Sequence, residues 1–108
     1  MIANTPKPPY YAVIFSSVRT DGDNGYSAMA GKMAELAEKQ EGFLGMESVR
    51  DELGITVSYW RDLESVRKWR ENLEHTFARN QGRAQWYKAF KVRISRVETD
   101  YDFVKGNH

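Results

Sequence analysis

The sequence predicts an α+β domain in which four antiparallel strands carry helices on one face. Three observations lead there. The hydrophobic period switches between two and about 3.6 residues along the chain, giving the order β-α-β-β-α-β. Turn-forming clusters stand at the switches, notably Thr20–Gly25 (TDGDNG) and Glu41-Gly42. The 108 residues suffice for one core and leave little room for a second.

Residues 1–9 (MIANTPKPP) read as a flexible lead, because Pro6, Pro8 and Pro9 bar a helix. Tyr10–Arg19 (YYAVIFSSVR) is rich in aromatic and β-branched residues and reads as a strand. Both its faces are apolar: Tyr10, Ala12, Ile14 and Val18 on one, Tyr11, Val13 and Phe15 on the other. Such a strand needs cover on both sides. A domain of this size supplies helices for one, so a second subunit is expected on the other.

From Tyr26 to Gln40 the set Tyr26, Met29, Ala30, Met33, Ala34 and Ala37 follows the spacing of an amphipathic helix. Gly42 suits the left-handed position at its end. Phe43–Asp51 and Ile55–Asp62 read as strands joined by Glu52-Leu53-Gly54. Asp62 is placed to cap a second helix carrying Leu63, Val66, Trp69 and Leu73. Gly82 interrupts the helical pattern of Glu74–Gln85, and a break near Asn72–Leu73 is expected. Trp86-Tyr87 opens a last strand, in which Phe90, Val92 and Ile94 form a buried face alternating with Lys91, Arg93 and Ser95. Thr99–His108 is a tail whose Tyr101 and Phe103 are too apolar for a free end, so docking across a dimer is expected. The whole is the ferredoxin-like plan, with one domain over residues 10–98.

Composition narrows the function. No cysteine is present, which removes disulfides, thiolate metal sites and Cys nucleophiles. No apolar run approaches the ~18 residues of a membrane span, and a proline-bearing start is unlike a secretion signal. A cytoplasmic protein is expected. Residues 61–98 carry ten Lys/Arg against five Asp/Glu, while residues 1–60 carry five against eight. That basic half is too weak for a nucleic-acid binder. The string Glu41-Gly42-Phe43-Leu44-Gly45-Met46 echoes an RNA-binding signature but lies on the second strand and opens with Glu. Phosphate-cradling glycine motifs are missing. His75 is the one interior histidine, since His108 is terminal, and no metal-ligand or triad spacing surrounds it.

The unusual feature of the composition is its aromatic content: three Trp, six Tyr and five Phe. Trp60, Trp69, His75 and Trp86 fall where a helical layer over a sheet would gather them around one cleft. Trp69 and His75 are the candidate catalytic residues, with Trp60, Trp86, Ser17, Phe15 and Arg79 as candidate substrate contacts. Each has a plainer alternative. Small domains anchor helix to sheet with Trp, His75 could cap or pack, Phe15 could be core, and Arg79 could pair on the surface.

The run Glu41–Ser48 (EGFLGMES), then Gly54–Trp60 (GITVSYW), Trp69-Arg70, His75, and Arg83 through Trp86-Tyr87 resembles the antibiotic biosynthesis monooxygenase superfamily. The resemblance covers about residues 10–98 and points to a small bacterial branch. It implies a dimeric α/β barrel of two ferredoxin-like subunits packed sheet to sheet, with a pocket between helices and sheet. It also implies a monooxygenase that needs no cofactor and oxidises a phenol- or quinol-like aromatic molecule with O₂. There His75 would accept a proton or hydrogen-bond the oxyanion, Trp69 would form a wall, and Arg79, if it faces inward, would steady an anion. A non-catalytic dimer binding a small ligand is the alternative. A third reading is haem binding or degradation. That branch of the superfamily carries Asn on the first strand, a Trp on the second helix, and an iron-ligating His ten residues on. Ser16 and Ser17, Trp69 and Arg79 stand at those places here, and charged Arg cannot ligate iron.

Overall fold

The computed structural model describes residues 1–80 and 82–106. The elements are β1 (Tyr10–Arg19), α1 (Tyr26–Glu38), β2 (Phe43–Arg50), β3 (Gly54–Trp60), α2 (Leu63–Asn80), α3 (Gly82–Trp86) and β4 (Tyr87–Val97). The strands form one antiparallel sheet in the order β2-β3-β1-β4. This is the expected ferredoxin-like arrangement, with a short third helix added before β4.

Period-two alternation sorts the sheet into two faces. Val13 lies between Ser58 and Ile94, and Phe15 lies between Thr56 and Val92. These residues, with Trp60, Met46 and Phe90, face the helices. Val13, Met33, Ala37, Trp60, Val66 and Trp69 make the main core. A second cluster of Phe77, Trp86 and Tyr87 packs with Phe15 and Phe90.

Local chemistry fixes the helix ends. The Asp23 carboxylate accepts from the N–H groups of Gly25 and Ser27 and from the Ser27 hydroxyl, holding the turn into α1. Gly42, at φ 87°, follows α1 in the left-handed region. A Cβ there would also come within 2.7 Å of the Ser65 Cβ, so no other residue fits. Asp62 caps α2 by accepting from the Ser65 N–H at 2.8 Å and its hydroxyl at 2.7 Å. Those bonds, and Arg61 beside it, hold the Asp62 carboxyl down at about 2.

Two expectations need correction. First, α2 does not break at Asn72–Leu73 but runs unbroken through 18 residues. Trp69, Leu73 and Phe77 continue one apolar stripe at four-residue spacing, and the Asn72 amide donates to the Lys68 carbonyl at 3.1 Å. Second, the inner face of β4 is only partly covered. Val92 and Ile94 stay exposed because α2 lies over β1 and β3 instead.

The opposite sheet face carries Tyr10, Ala12, Ile14 and Val18 from β1 with Ile55, Val57 and Tyr59 from β3. No helix covers it. The proline lead reaches its edge, where the Ala3 N–H donates to Glu47 at 2.9 Å and the Thr5 hydroxyl to Tyr10 at 3.0 Å. Tyr59 donates to the other Glu47 oxygen at 2.5 Å. Burial and the adjacent Glu47 push the Tyr59 phenol up to about 12. Tyr10 in turn donates to Asp100 at 2.5 Å, but beyond that residue Tyr101 and Phe103 are 99% and 81% exposed. No helix among the described residues is long and apolar enough to cross a membrane.

Candidate functional site

Two cavities open between the helices and the sheet, divided by the α2 stripe Trp69, Leu73 and Phe77, with Val13 and Phe15 lining both. The first, of about 280 Å³, lies between α2 and β4, above Phe90, Val92 and Ile94. Its charged rim is Arg70 and Glu74, and Glu74 is engaged by Arg83. The second, which we call the central cavity, measures about 220 Å³ and lies between α1, α2 and strands β1 to β3. Its walls are Met29, Met33, Trp69 and Phe77 with Tyr26 and Tyr87, and its polar groups are Ser48, Thr56, Ser58 and Arg50. An apolar chamber with a few polar groups on its sheet side is the usual construction of a small-molecule site.

Trp69 is placed by the helix that Asp62 starts. Its ring stacks on Trp60 with centroids 5.5 Å apart and planes at 26°. Phe15 stacks on Phe90 at 5.2 Å. These rigid aromatic pairs hold the cavity walls without filling the space between them.

Arg50 sets the polar end. It follows Met46 and Ser48 on the helix-facing side of β2, opposite Gly54 on β3. With no side chain at Gly54, the guanidinium lies across that residue, and a Cβ there would overlap it. It reaches β1, where it donates to the hydroxyl and carbonyl oxygen of buried Ser17. Arg19 approaches from the other end of the turn, 3.5 Å from the Tyr26 ring centroid, with Arg50 at 5.9 Å from the same ring. Burial, reinforced by hydrogen-bonded Tyr26, pushes the Tyr87 phenol well above its ordinary range.

The sequence-predicted residues divide. Trp69 and Phe15 line the central cavity. Ser17 supports it through Arg50. Trp60 does not line it: the ring is fully buried, packed against Trp69 and Phe43, and its N–H donates to Ser58 at 2.8 Å. Trp86 and Arg79 face a different groove, of about 400 Å³, on the outer side of α1 and α2. The Trp86 N–H is spent on the Asn24 carbonyl at 2.9 Å. His75 is exposed and borders none of the three spaces. Six residues beyond Trp69 is about 240° around a helix, which turns His75 away from the stripe. His75 as proton acceptor for a cavity-bound molecule does not fit this placement.

The haem reading loses its expected ligand on the same geometry. The imidazole that the haem branch uses has no counterpart here, since His75 is exposed and lines neither cavity while Arg79 borders the outer groove. His108 lies outside the described residues. Among the described residues no three His, Asp or Glu side chains gather as metal ligands.

Sequence reasoning missed Arg50, Tyr26 and Tyr87 as site residues. The signal for Arg50 was its parity with Met46 and Ser48 on β2 together with a glycine across the hairpin.

Known proteins agree with this architecture. The sequence profile of the antibiotic biosynthesis monooxygenase family matches residues 9–81. YqjZ, an uncharacterized protein of Bacillus subtilis (strain 168), is 50% identical over 99 residues, covering 90% of this chain and 87% of that protein. A variant of SnoaB, a cofactor-independent oxygenase from Streptomyces nogalater, superposes with a TM-score of 0.64 at 12% identity, over 90% of this chain and 98% of that one. A Shewanella oneidensis protein gives a TM-score of 0.66 at 11% identity, over 92% of this chain and all of that one. At those identities the structural likeness is one of fold. The profile match and the Bacillus relative carry the family assignment: this chain belongs to the antibiotic biosynthesis monooxygenase family.

Proposed function

We propose that the protein binds a small phenol- or quinol-like aromatic molecule in the central cavity and oxidises it with O₂, without a cofactor, as a cytoplasmic homodimer. The observation that carries this reading is the cavity itself: an aromatic and methionine-lined chamber with one guanidinium and three hydroxyls on its sheet side. Family membership supports the choice of reaction class.

The reaction closes with substrate and O₂ alone. A phenol with a free para C–H becomes a quinone: that carbon takes one oxygen atom as a carbonyl. The other oxygen leaves as water with the ring hydrogen and the phenolic hydrogen. The substrate supplies all four electrons. The chain's own part is to favour the phenolate, hold its ring and exclude bulk water. Trp69 and Phe15 would sandwich the ring. A cation near the phenolate lowers the substrate's pKa, so a strongly basic side chain at the reacting atoms is not required.

The homodimer is supported by the uncovered sheet face and by exposed Val18, Val49, Tyr101, Phe103 and Val104. A partly apolar sheet face beside an apolar tail is suited to a second copy and is poorly suited to water.

A second reading, a non-catalytic ligand-binding dimer, is favoured by one observation. Among the described residues no imidazole or carboxylate lines the central cavity. Oxygen uptake against phenols with a free para C–H separates the two. Ligand-dependent uptake reduced by Trp69→Phe is the enzyme's result, whereas ligand binding with no uptake is the binding protein's.

A further inference from the structure

We infer that the central cavity selects anions: Arg50 receives an ionised oxygen group, a carboxylate or phenolate, carried on an aromatic body about two rings in size. The inference rests on the small-molecule reading of the cavity and names the charge of what enters it.

Arg50 is held in position but left unneutralised. Its guanidinium contacts neutral oxygens only, the Ser17 hydroxyl and carbonyl. Among the described residues no carboxylate lies within 4.0 Å of it, whereas Arg61, Arg67, Arg83 and Arg96 all have one. A guanidinium has five N–H donors in a planar fork, so Arg50 keeps donors beyond those given to Ser17. The fork geometry suits two oxygens of one anionic group.

Arg19 adds to the same field. Its hydrogen bonds go to neutral groups, the carbonyls of Trp86, Gly22 and Asp23, although the Asp23 carboxylate is near enough to feel its charge, and it lies on the Tyr26 ring that Arg50 also approaches. Two guanidiniums thus flank one aromatic side chain at the end of a chamber walled by Met29, Met33, Trp69 and Phe77. Arg50 itself is exposed at the mouth of that chamber, so water screens part of its charge, while the apolar walls beside it direct the remaining positive potential to where a ligand's polar end would sit. Gly54 is part of the device. Any side chain at that position would push the guanidinium out of the place from which it reaches Ser17.

The test uses two probes of matched shape, 2-naphthoate and 2-naphthylmethanol, titrated calorimetrically into the full chain at pH 7. Wild type is expected to bind the anion roughly ten-fold more tightly or better, as charge-assisted hydrogen bonds imply. Arg50→Gln should bring the two affinities within about two-fold, while Arg50→Lys should retain part of the preference. Gly54→Ala, which displaces the guanidinium and keeps its charge in the chain, should also erase most of the preference. It gives an independent answer if Arg50→Gln does not fold. Equal affinities in wild type would overturn the inference and leave the small-molecule cavity standing. A preference that survives both Arg50→Gln and Gly54→Ala would overturn it too. Binding of neither probe would remove the cavity reading and the inference together.

Discussion

Trp60 at the end of β3 and Trp69 on α2 stack with centroids 5.5 Å apart, so one indole pair joins sheet to helix. Trp60 is fully buried and commits its N–H to Ser58, while the other side of Trp69 lines the cavities. One ring is structural and its neighbour forms the wall.

Substituting the two should therefore have different consequences. Trp60→Ala removes a filled core position and should cost about 3–5 kcal/mol, measured by urea denaturation. Trp69→Phe keeps an aromatic ring against Trp60, so the midpoint should fall less while affinity for aromatic probes drops several-fold. Equal losses of stability in the two variants would contradict this division.

His75 should be dispensable. It is exposed and turned away from the cavities, so His75→Ala should leave probe affinity and any oxygen uptake within about two-fold of wild type. A loss of ten-fold or more would return His75 to the site.

The α2 cap has a pH signature. Asp62 titrates at about 2 in the folded chain against 3.8 ordinarily, through its bonds to Ser65 and the neighbouring Arg61. A folded value below the unfolded one stabilises the fold at pH above the ordinary value, and that stabilisation is lost as pH falls toward the folded one. The melting temperature of Asp62→Ala should lie below that of wild type at pH 7, and the gap should narrow between about pH 4 and pH 2. A gap of constant size across that window would show that the carboxylate charge has no part in the cap.

The uncovered sheet face predicts a dimer in solution. Ile14 sits near the middle of that face on a central strand, between Val57 and Arg93. Analytical ultracentrifugation should give a dimer for wild type and a folded monomer for Ile14→Glu. A soluble wild-type monomer at micromolar concentration would contradict the two-sided reading of β1.

Much of the fold was legible because local and global signals agree here. The aromatic and β-branched run in Tyr10–Arg19, the helical spacing from Tyr26 and the left-handed Gly42 each encode their element directly. The course of α2 was harder to read, because Gly82 interrupts the periodicity after the stripe through Leu73 and Phe77 has already committed the helix to packing. Exposure of Val92 and Ile94 depends on where α2 crosses the sheet, which alternation within β4 does not encode. The site was the least legible. His75 drew attention as chemistry-bearing, but its angle from Trp69 turns it outward once the helix is continuous. Arg50 looks like an ordinary strand-end charge until Gly54 opposite it and Ser17 two strands away are brought together.

Oxygen consumption measured with an electrode, on 1-naphthol and a set of phenols with a free para C–H, separates an oxygenase from a binding protein. Uptake should be one O₂ per phenol oxidised, with quinone absorbance rising in step, and both should fall markedly in Trp69→Phe but not in His75→Ala. No uptake above the buffer rate by a protein that binds these molecules would contradict the oxygenase assignment and leave a ligand-binding dimer in its place.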